Sequence, residues 1–321
     1  MNVLVVGGAG FIGSHVCKAL KRAGFCPVVY DNLENGHSWA VQWGPLIEGD
    51  LQDPATLRRA FEKYQPKGVI HLASYINARE SMSLPEKYYE NNVVGSLRLF
   101  QEMVRHKVTK LVFSSTAAVY GNPREATITE DHPCKPINVY GKTKWLVEKM
   151  LEEFFEKHGL CSVALRYFNA AGADPDGEIG EAHDPETHLI PLAILSALGK
   201  KTGFKIFGTD HATPDGTPIR DYIHVTDLAE AHLLALQWLL RGGTKTVLNL
   251  GCGRGYSVRE VMAMVEKVTN RPVPHEVSEK NDSDPPSLVA NSAKAQETLN
   301  WKPYHSNLET IITTALKWYM K

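Results

Sequence analysis

Val3-Leu4-Val5-Val6-Gly7-Gly8-Ala9-Gly10-Phe11-Ile12-Gly13 stands almost at the start of the chain. The four apolar residues read as a buried strand, and the G-x-x-G-x-x-G run after them reads as a turn into a helix. Gly7 permits the tight turn. Gly10 lets a pyrophosphate approach the backbone, and Gly13 lets helix and strand pack closely. The helix start, with Phe11 and Ile12 in its first turn, offers unpaired N–H groups and a partial positive charge to phosphates. Glycines that merely turn a buried corner are the alternative. The context weighs against it, because Asp31 closes the next apolar run, Pro27 to Tyr30. A carboxylate there binds the adenosine ribose hydroxyls and repels a 2′-phosphate, which favours NAD over NADP. Asn32 follows it. Gly49-Asp50-Leu51 falls where a third strand ends; it either meets adenine or lets Asp50 cap a helix at Pro54.

Working outward, further apolar runs at Val69 to Ala73, Leu111 to Phe113 and Cys161 to Phe168 alternate with helical patterns. The helices are expected near Gly13 to Ala23, Pro54 to Tyr64, Glu86 to His106 and Asn138 to His158. This alternation predicts an α/β fold, a doubly wound parallel sheet (Rossmann), with Cys161 to Phe168 as its last strand. After Asn169 the texture changes to a loop rich in Gly, Ala, Pro and acidic residues. Helices about His188 to Leu198, Val225 to Leu240, Ser257 to Thr269 and Leu308 to Met320 follow, with short strands near Phe204 to Phe207 and Val247 to Leu250. The expected division is a dinucleotide-binding domain over 1–169 and a smaller α/β substrate domain over 170–321. Segments about 225–250 are expected to return to the first.

The chain has 321 residues, 43% hydrophobic and 22% charged, with a formal net charge of -1. No global field draws it to nucleic acid or a membrane, so an anionic ligand must be held by a few placed cations and backbone amides. Five cysteines, odd in number and without CxxC spacing, point to a reducing compartment and away from a disulfide framework or zinc ribbon. There is no HExxH pair and no metal site is expected. No 18-residue apolar run and no signal-like start are present, so a cytoplasmic protein is expected.

Tyr140-Gly141-Lys142-Thr143-Lys144 puts a phenol and an amine four residues apart, on one helix face. A lone pair of this kind is ordinarily surface packing. As a base at neutral pH, a phenol needs its pKa lowered by about 3 units, roughly 4 kcal/mol. A cation about 4 Å away at an effective dielectric of about 20 supplies a comparable Coulomb term, which gives the pair its meaning. Ser114-Ser115-Thr116 ends a strand at its carboxyl edge, where ligands sit in open α/β sheets. Ser115 or Thr116 can relay a substrate proton to Tyr140; local strand-ending hydrogen bonds are the alternative.

Taken together, the glycine loop, Asp31, Ser114-Ser115-Thr116-Ala117-Ala118-Val119-Tyr120-Gly121 and Tyr140-x-x-x-Lys144 resemble the extended short-chain dehydrogenase/reductases across essentially the whole chain. Within them the chain is most similar to the NAD-dependent nucleotide-sugar epimerases that invert C4 of a UDP-hexose. The similarity runs through Asp31-Asn32-Leu33, Tyr88-Tyr89-Glu90-Asn91-Asn92-Val93, Arg166-Tyr167-Phe168-Asn169, His188-Leu189-Ile190-Pro191 and Arg220-Asp221-Tyr222-Ile223-His224-Val225. Ser115-Thr116-Ala117 replaces the Thr-Asp-Glu usual in 4,6-dehydratases, which disfavours water elimination.

This resemblance implies interconversion of UDP-glucose and UDP-galactose through a 4-keto intermediate that turns in the pocket, with Tyr140 removing the 4-OH proton. Lys144 is implied to hold the nicotinamide ribose and depress the phenol's pKa, and Thr116, with Ser115 beside it, to assist proton transfer. Leu72, Ala73, Asn92 and Ser114 are implied in the cofactor pocket, with Tyr167 and Phe168 near the nicotinamide. Asn169, His188, Leu189, Phe207, Arg220, Tyr222 and Asp284 are implied to hold the UDP-sugar, with Phe207 stacking on uracil and Arg220 gripping the diphosphate. A core phenylalanine and a surface ion pair with Asp221 are their respective alternatives. One departure stands out: Asn281 and Ser283 occupy the positions of a usual Arg and Gly, leaving Lys280 as the nearby cation. A homodimer is implied by analogy. The rival readings are a 4-epimerase for UDP-GlcNAc, a UDP-pentose or a UDP-uronate, a reductase exchanging free NADPH, and a non-catalytic NAD sensor.

Overall fold

The computed structural model describes residues 1–280 and 285–321. Seven parallel strands form the main sheet: β1 (Asn2–Val6), β2 (Cys26–Asp31), β3 (Leu46–Glu48), β4 (Gly68–His71), β5 (Lys110–Thr116), β6 (Cys161–Tyr167) and, far along the chain, Thr246–Leu250. The spatial order is β3-β2-β1-β4-β5-β6 and then Thr246–Leu250. The chain reverses direction across the sheet between β1 and β4, and that crevice is where a doubly wound sheet binds its ligand.

Both faces of the sheet are covered, which is why its strands are near-continuous apolar runs. One face packs Val3, Val5, Ile70, Val112, Val163 and Leu165 against α1 (Phe11–Arg22) and the helix Val225–Leu240, with Trp301 fully buried beneath. The other packs Leu4, Val28, Val69, Leu111 and Phe113 against α2 (Pro54–Tyr64), a helix at Gly95–Arg105 and a helix at Val139–His158. Burial of this kind is worth about 25 cal/mol per Å² of apolar surface.

Beyond β6, short strands at Asn169–Ala171, Gly255–Ser257 and Ser287–Leu288 flank Ile219–His224, and Lys205–Phe207 pairs with Glu276–Ser278. Helices Leu189–Ala197, Val258–Thr269 and Leu308–Tyr319 share a third apolar cluster around Ile190, Ile194, Val261 and Ile311.

Three expectations are corrected. Cys161–Tyr167 does not end the sheet, because Thr246–Leu250 pairs alongside it in register, Val163 opposite Thr246. The strand expected over Val69 to Ala73 stops at His71; the amides of Leu72 and Ala73 both turn back to the Val6 carbonyl, at 2.8 and 3.0 Å. The single helix expected over Glu86 to His106 is instead Pro85–Tyr88, a π-helical stretch Tyr89–Val94, and Gly95–Arg105.

Candidate active site

A cavity of about 520 Å³ opens at the carboxyl edge of β1, β2, β4 and β5 and extends under the later segments. Its first part is the glycine loop. Gly7 has φ +84°, and a Cβ on Gly13 would lie 2.0 Å from the Gly7 oxygen, so the close strand–helix contact admits glycine alone. Gly10 begins α1 without an acidic residue in the first turn, and Gly10, Phe11, Ile12 and Gly13 line the cavity. That is a cradle for phosphates.

Asp31 ends β2 almost buried, one carboxylate oxygen accepting the Ala9 amide and the other the Leu33 amide, each at 2.9 Å. Burial pushes its pKa up, against those two hydrogen bonds. The carboxylate therefore faces the cavity already oriented, its remaining lone pairs available to ribose hydroxyls. Asn32, Asp50 and Leu51 line the same end. Asp50 accepts from Asn32 and from the Gln52 amide, both at 2.7 Å. It does not cap the following helix; Asp53 does, accepting from Ala55 and Thr56. Leu72, Ala73, Tyr167, Phe168, Asn169, Leu189, His188 and Tyr222 complete the expected lining.

The candidate reacting groups come from β5 (Thr116) and the helix Val139–His158 (Tyr140, Lys144). Asn138 caps that helix by accepting the Gly141 amide at 2.8 Å, and Gly141 sits so near the Ala118 oxygen that a Cβ would meet it at 2.6 Å. This docking brings Tyr140 to the end of β5. The Thr116 hydroxyl accepts the Ala118 amide at 3.1 Å and stands beside the Tyr140 phenol, favouring its ionised form. Lys144 donates to the Ser114 carbonyl at 2.9 Å and lies over the Phe113 ring.

Electrostatics correct the simple Coulomb expectation. Burial pushes Tyr140 up to about 12, opposed only by Thr116, and brings Lys144 down to about 7, opposed by Glu148. Desolvation outweighs attraction for both groups, so each tends to its neutral form.

Period-two alternation separates the three hydroxyls of β5. Ser115 donates to the Glu148 carboxylate, which is held in turn by Arg166. It is completely buried and faces away from Tyr140, so the structure does not bring it to the reacting centre. Ser114 pairs its hydroxyl with His232 at 2.8 Å and serves the site through its carbonyl. Asn92 lies behind the cavity wall, binding the Tyr75 amide at 2.9 Å and the Thr143 hydroxyl at 3.1 Å. It positions the wall.

Phe207 and Arg220 lie outside the cavity lining. Phe207 is 39% exposed with the Arg79 guanidinium 4.6 Å over its ring, so it is not a core residue. Arg220 and Asp221 are both buried, which excludes an exposed ion pair; Asp221 accepts the amides of Cys252, Gly253 and Ala290. Asn281, Ser283 and Asp284 fall outside the described residues. The sequence reading missed Tyr75, Glu80, Lys87 and Tyr88, which wall the cavity beside Tyr140. The Tyr88 hydroxyl binds Glu80 at 2.7 Å. Tyr88 was within reach, since it opens a quoted motif; the others carry no spacing signal. His183, Asp184, Pro185 and Thr187 were missed as well.

A parallel sheet with a glycine-rich β–α turn, an acidic end to its second strand, and a buried Tyr–Lys pair at its carboxyl edge together define an NAD-dependent enzyme of the short-chain dehydrogenase type. Comparison narrows the class. Residues 3–251 match the NAD dependent epimerase/dehydratase family, and the chain belongs to it. A UDP-glucose 4-epimerase of Rhizobium leguminosarum bv. trifolii is 49% identical over 320 residues, covering 100% of this chain and 98% of that one. The structure of a UDP-glucose 4-epimerase from Brucella ovis in complex with NAD superposes with a TM-score of 0.96 at 50% identity, covering 98% and 97% of the two chains. Another from Bifidobacterium longum, in complex with NAD+ and UDP, gives 0.95 at 34% identity, covering 100% and 98%.

Proposed function

We infer that this chain is a UDP-glucose 4-epimerase, an isomerase that inverts C4 of a UDP-hexose and so interconverts UDP-glucose and UDP-galactose. The observation that carries this is one continuous cavity with Asp31 and the glycine loop at one end and Thr116, Tyr140, Asn169 and Tyr222 further along. It has room for a dinucleotide at one end and a sugar beyond it. The residues fit NAD: the Gly7–Gly13 cradle tolerates no side chain at Gly13, and Asp31 is aimed at the ribose position and opposed to a 2′-phosphate. When bound, NAD would supply hydride exchange with C4 of the sugar and the positive charge of its oxidised ring.

This chain's own groups handle the proton. Tyr140 takes it from the 4-OH as the phenolate, becoming the neutral phenol, and Thr116, whose oxygen accepts from Ala118, donates its O–H to the phenolate beforehand and so favours the ionised form that burial opposes. Lys144, with its pKa brought down to about 7 by burial, holds or gives up a proton close to working pH. Asn169, Leu189, His188 and Tyr222 line the space for the UDP-sugar, and Tyr75 and Tyr88 add aromatic wall to the same cavity. Arg220 and Phe207 remain the assignments for diphosphate and uracil on the strength of the family match, with Lys280 and Asp284 as further nucleotide contacts from a later stretch of the chain.

The free cysteines and ordinary charge balance support a cytoplasmic setting. Among the described residues no helix is long and apolar enough to cross a membrane. Exposed Met82, Leu84, Tyr89 and Leu146 lie on or near the segment Pro85–Arg105 and the helix Val139–His158, the two elements that would pair across a homodimer.

Proton NMR of UDP-glucose, UDP-galactose, UDP-GlcNAc and UDP-xylose, each incubated with the purified protein and no added cofactor, tests the reading. Equilibration of the first pair is expected. Silence toward all four with NAD bound would return the non-catalytic alternative.

A further inference from the structure

Residues 181–188 read Glu-Ala-His-Asp-Pro-Glu-Thr-His, a near-symmetric E-x-H-x-x-E-x-H run of which the mechanism above uses only His188, as part of the cavity lining. The fold gathers all four of its chemistry-bearing side chains into one place. One ligand atom each from Glu181, His183, Glu186 and His188 lies within 4.8 Å of all the others. The Glu181 and Glu186 side chains are only 3% and 6% exposed. Two carboxylates that close and that buried repel each other unless positive charge sits between them.

The separations suggest what that charge is. His183 Nδ1 is 3.0 Å from Glu181 Oε1 and 3.8 Å from Glu186 Oε1, and His188 Nδ1 is also 3.8 Å from Glu186 Oε1. The His188 nitrogen also touches Glu181 Oε1. A distance of 3.8 Å is too long for a hydrogen bond. Tetrahedral zinc, with bonds of about 2.0–2.2 Å to nitrogen and oxygen, places its ligand atoms roughly 3.3–3.6 Å apart. The two edges to Glu186 exceed that value by a few tenths of an ångström, the His183–Glu181 edge falls short of it by as much, and the His188–Glu181 contact has to open further, trading its hydrogen bond for a shared ion.

The surroundings are those of a metal site. Glu186 Oε1 is fixed by the amides of Thr187 at 2.8 Å and His188 at 2.9 Å, and its other oxygen accepts from the Tyr319 hydroxyl at 3.2 Å. The Glu181 backbone carbonyl accepts the Trp318 indole N–H at 2.8 Å. A ligand carboxylate held in this way, as Glu186 is, helps keep a coordination shell in place. Two imidazoles with two carboxylates select a borderline transition ion, whereas magnesium and calcium prefer all-oxygen shells. Neutral imidazoles and two carboxylates balance a divalent charge.

We propose that Glu181, His183, Glu186 and His188 form a closed structural site for a divalent transition metal, with zinc the best match. It fixes the fold of the 181–188 segment, which lines the cavity through His183, Thr187 and His188 and is hydrogen-bonded to Trp318 and Tyr319 of the C-terminal helix. Four protein ligands leave no open position, so the metal holds the wall of the cavity and takes no part in the chemistry.

The test uses tag-free enzyme with its nucleotide bound, so that no affinity-tag histidines compete. After exposure to zinc and exhaustive dialysis, mass spectrometry of the metal content is expected to find about one zinc per chain. X-ray absorption is expected to show a nitrogen/oxygen shell at about 2.0–2.1 Å with imidazole scattering. The melting temperature rises with zinc and does not respond to magnesium or calcium. The double variant His183→Gln/Glu186→Gln loses the stoichiometric zinc and the thermal response while keeping its bound NAD. Two results overturn the proposal: wild-type protein that retains no zinc and shows no thermal response, or a folded double variant that retains the full equivalent. The absorption spectrum of the wild type decides the matter if the variant fails to fold, because a sulfur shell or a hydrated ion would place the metal elsewhere.

Discussion

The Lys18 ammonium lies 2.7 Å from both carboxylate oxygens of Asp174, a residue 156 positions further along the chain. Both side chains are nearly buried, at 6% and 4% exposure, and Asp176 and Glu178 close on the same ammonium. This knot ties the helix behind the glycine loop to the start of the segment that lines the far side of the cavity. Lys18→Met leaves Asp174 as an uncompensated buried charge, which costs about 3–5 kcal/mol. Urea denaturation is expected to show a loss of that size, with much of it recovered in Lys18→Met/Asp174→Asn. An unchanged midpoint in the single variant would mean that water reaches the pair.

Tyr140→Phe removes the proton acceptor and leaves the ring in place. Turnover is expected to fall by about 10³-fold or more, within the usual range for a positioned acid–base group and slightly beyond it. Bound nucleotide is expected to stay at wild-type content, since the glycine loop and Asp31 are untouched. Absorbance of the denatured protein's released cofactor, measured beside the rate, checks both halves.

Ser115 and Thr116 part company under substitution. Thr116→Val keeps the shape and removes the hydroxyl beside the phenol, and is expected to lower kcat by about 10²-fold. Ser115→Ala touches only the buried Glu148–Arg166 pair. Its kcat is expected to stay within a few-fold, with a stability loss of about 1–3 kcal/mol from a carboxylate short of one partner. The reverse pattern would put Ser115 at the reacting centre.

Those two adjacent hydroxyls show how far the sequence could be read. The glycine loop, Asp31, Thr116, Tyr140 and Lys144 were legible because each is tied to a strand end or a helix start by local pattern. Which β5 hydroxyl faces the cavity follows from the pleat, yet the strand's register becomes visible only once Glu148 and Arg166 are seen to claim Ser115. The strand Thr246–Leu250 was seen, but its place beside β6 is a pairing across some 80 residues that periodicity does not encode. The π-helical stretch Tyr89–Val94 escaped for a related reason. It holds Asn92 against Tyr75 and Thr143, and such bulges commonly mark functional sites. Charge was the least legible property. Sequence spacing suggests an ammonium that acidifies a phenol, whereas burial decides the protonation of both groups.

Lys144→Met makes that last point measurable. The folded pKa of about 7 is far below the ordinary lysine value of 10.5, because burial penalises the ammonium more than Glu148 rewards it. Below pH 7 both folded and unfolded chains carry the proton, and the folded state bears the full cost. Between pH 7 and 10.5 the unfolded chain still binds the proton that the folded chain has released, so stability rises with pH. Above that range the cost is gone. The full penalty is about 5 kcal/mol at 1.36 kcal/mol per unit, and an orphaned Ser114 carbonyl gives back about 1–3 of it. Lys144→Met is therefore expected to stabilise the fold at about pH 6 by about 2–4 kcal/mol at matched nucleotide content, while turnover collapses. The gain is expected to shrink steadily toward pH 10. Denaturation curves across that range check the sign directly: a variant less stable than wild type at pH 6, or a difference that ignores pH, would mean that Lys144 keeps its charge in the folded protein and that the attractive reading of the Tyr140–Lys144 pair prevails over desolvation.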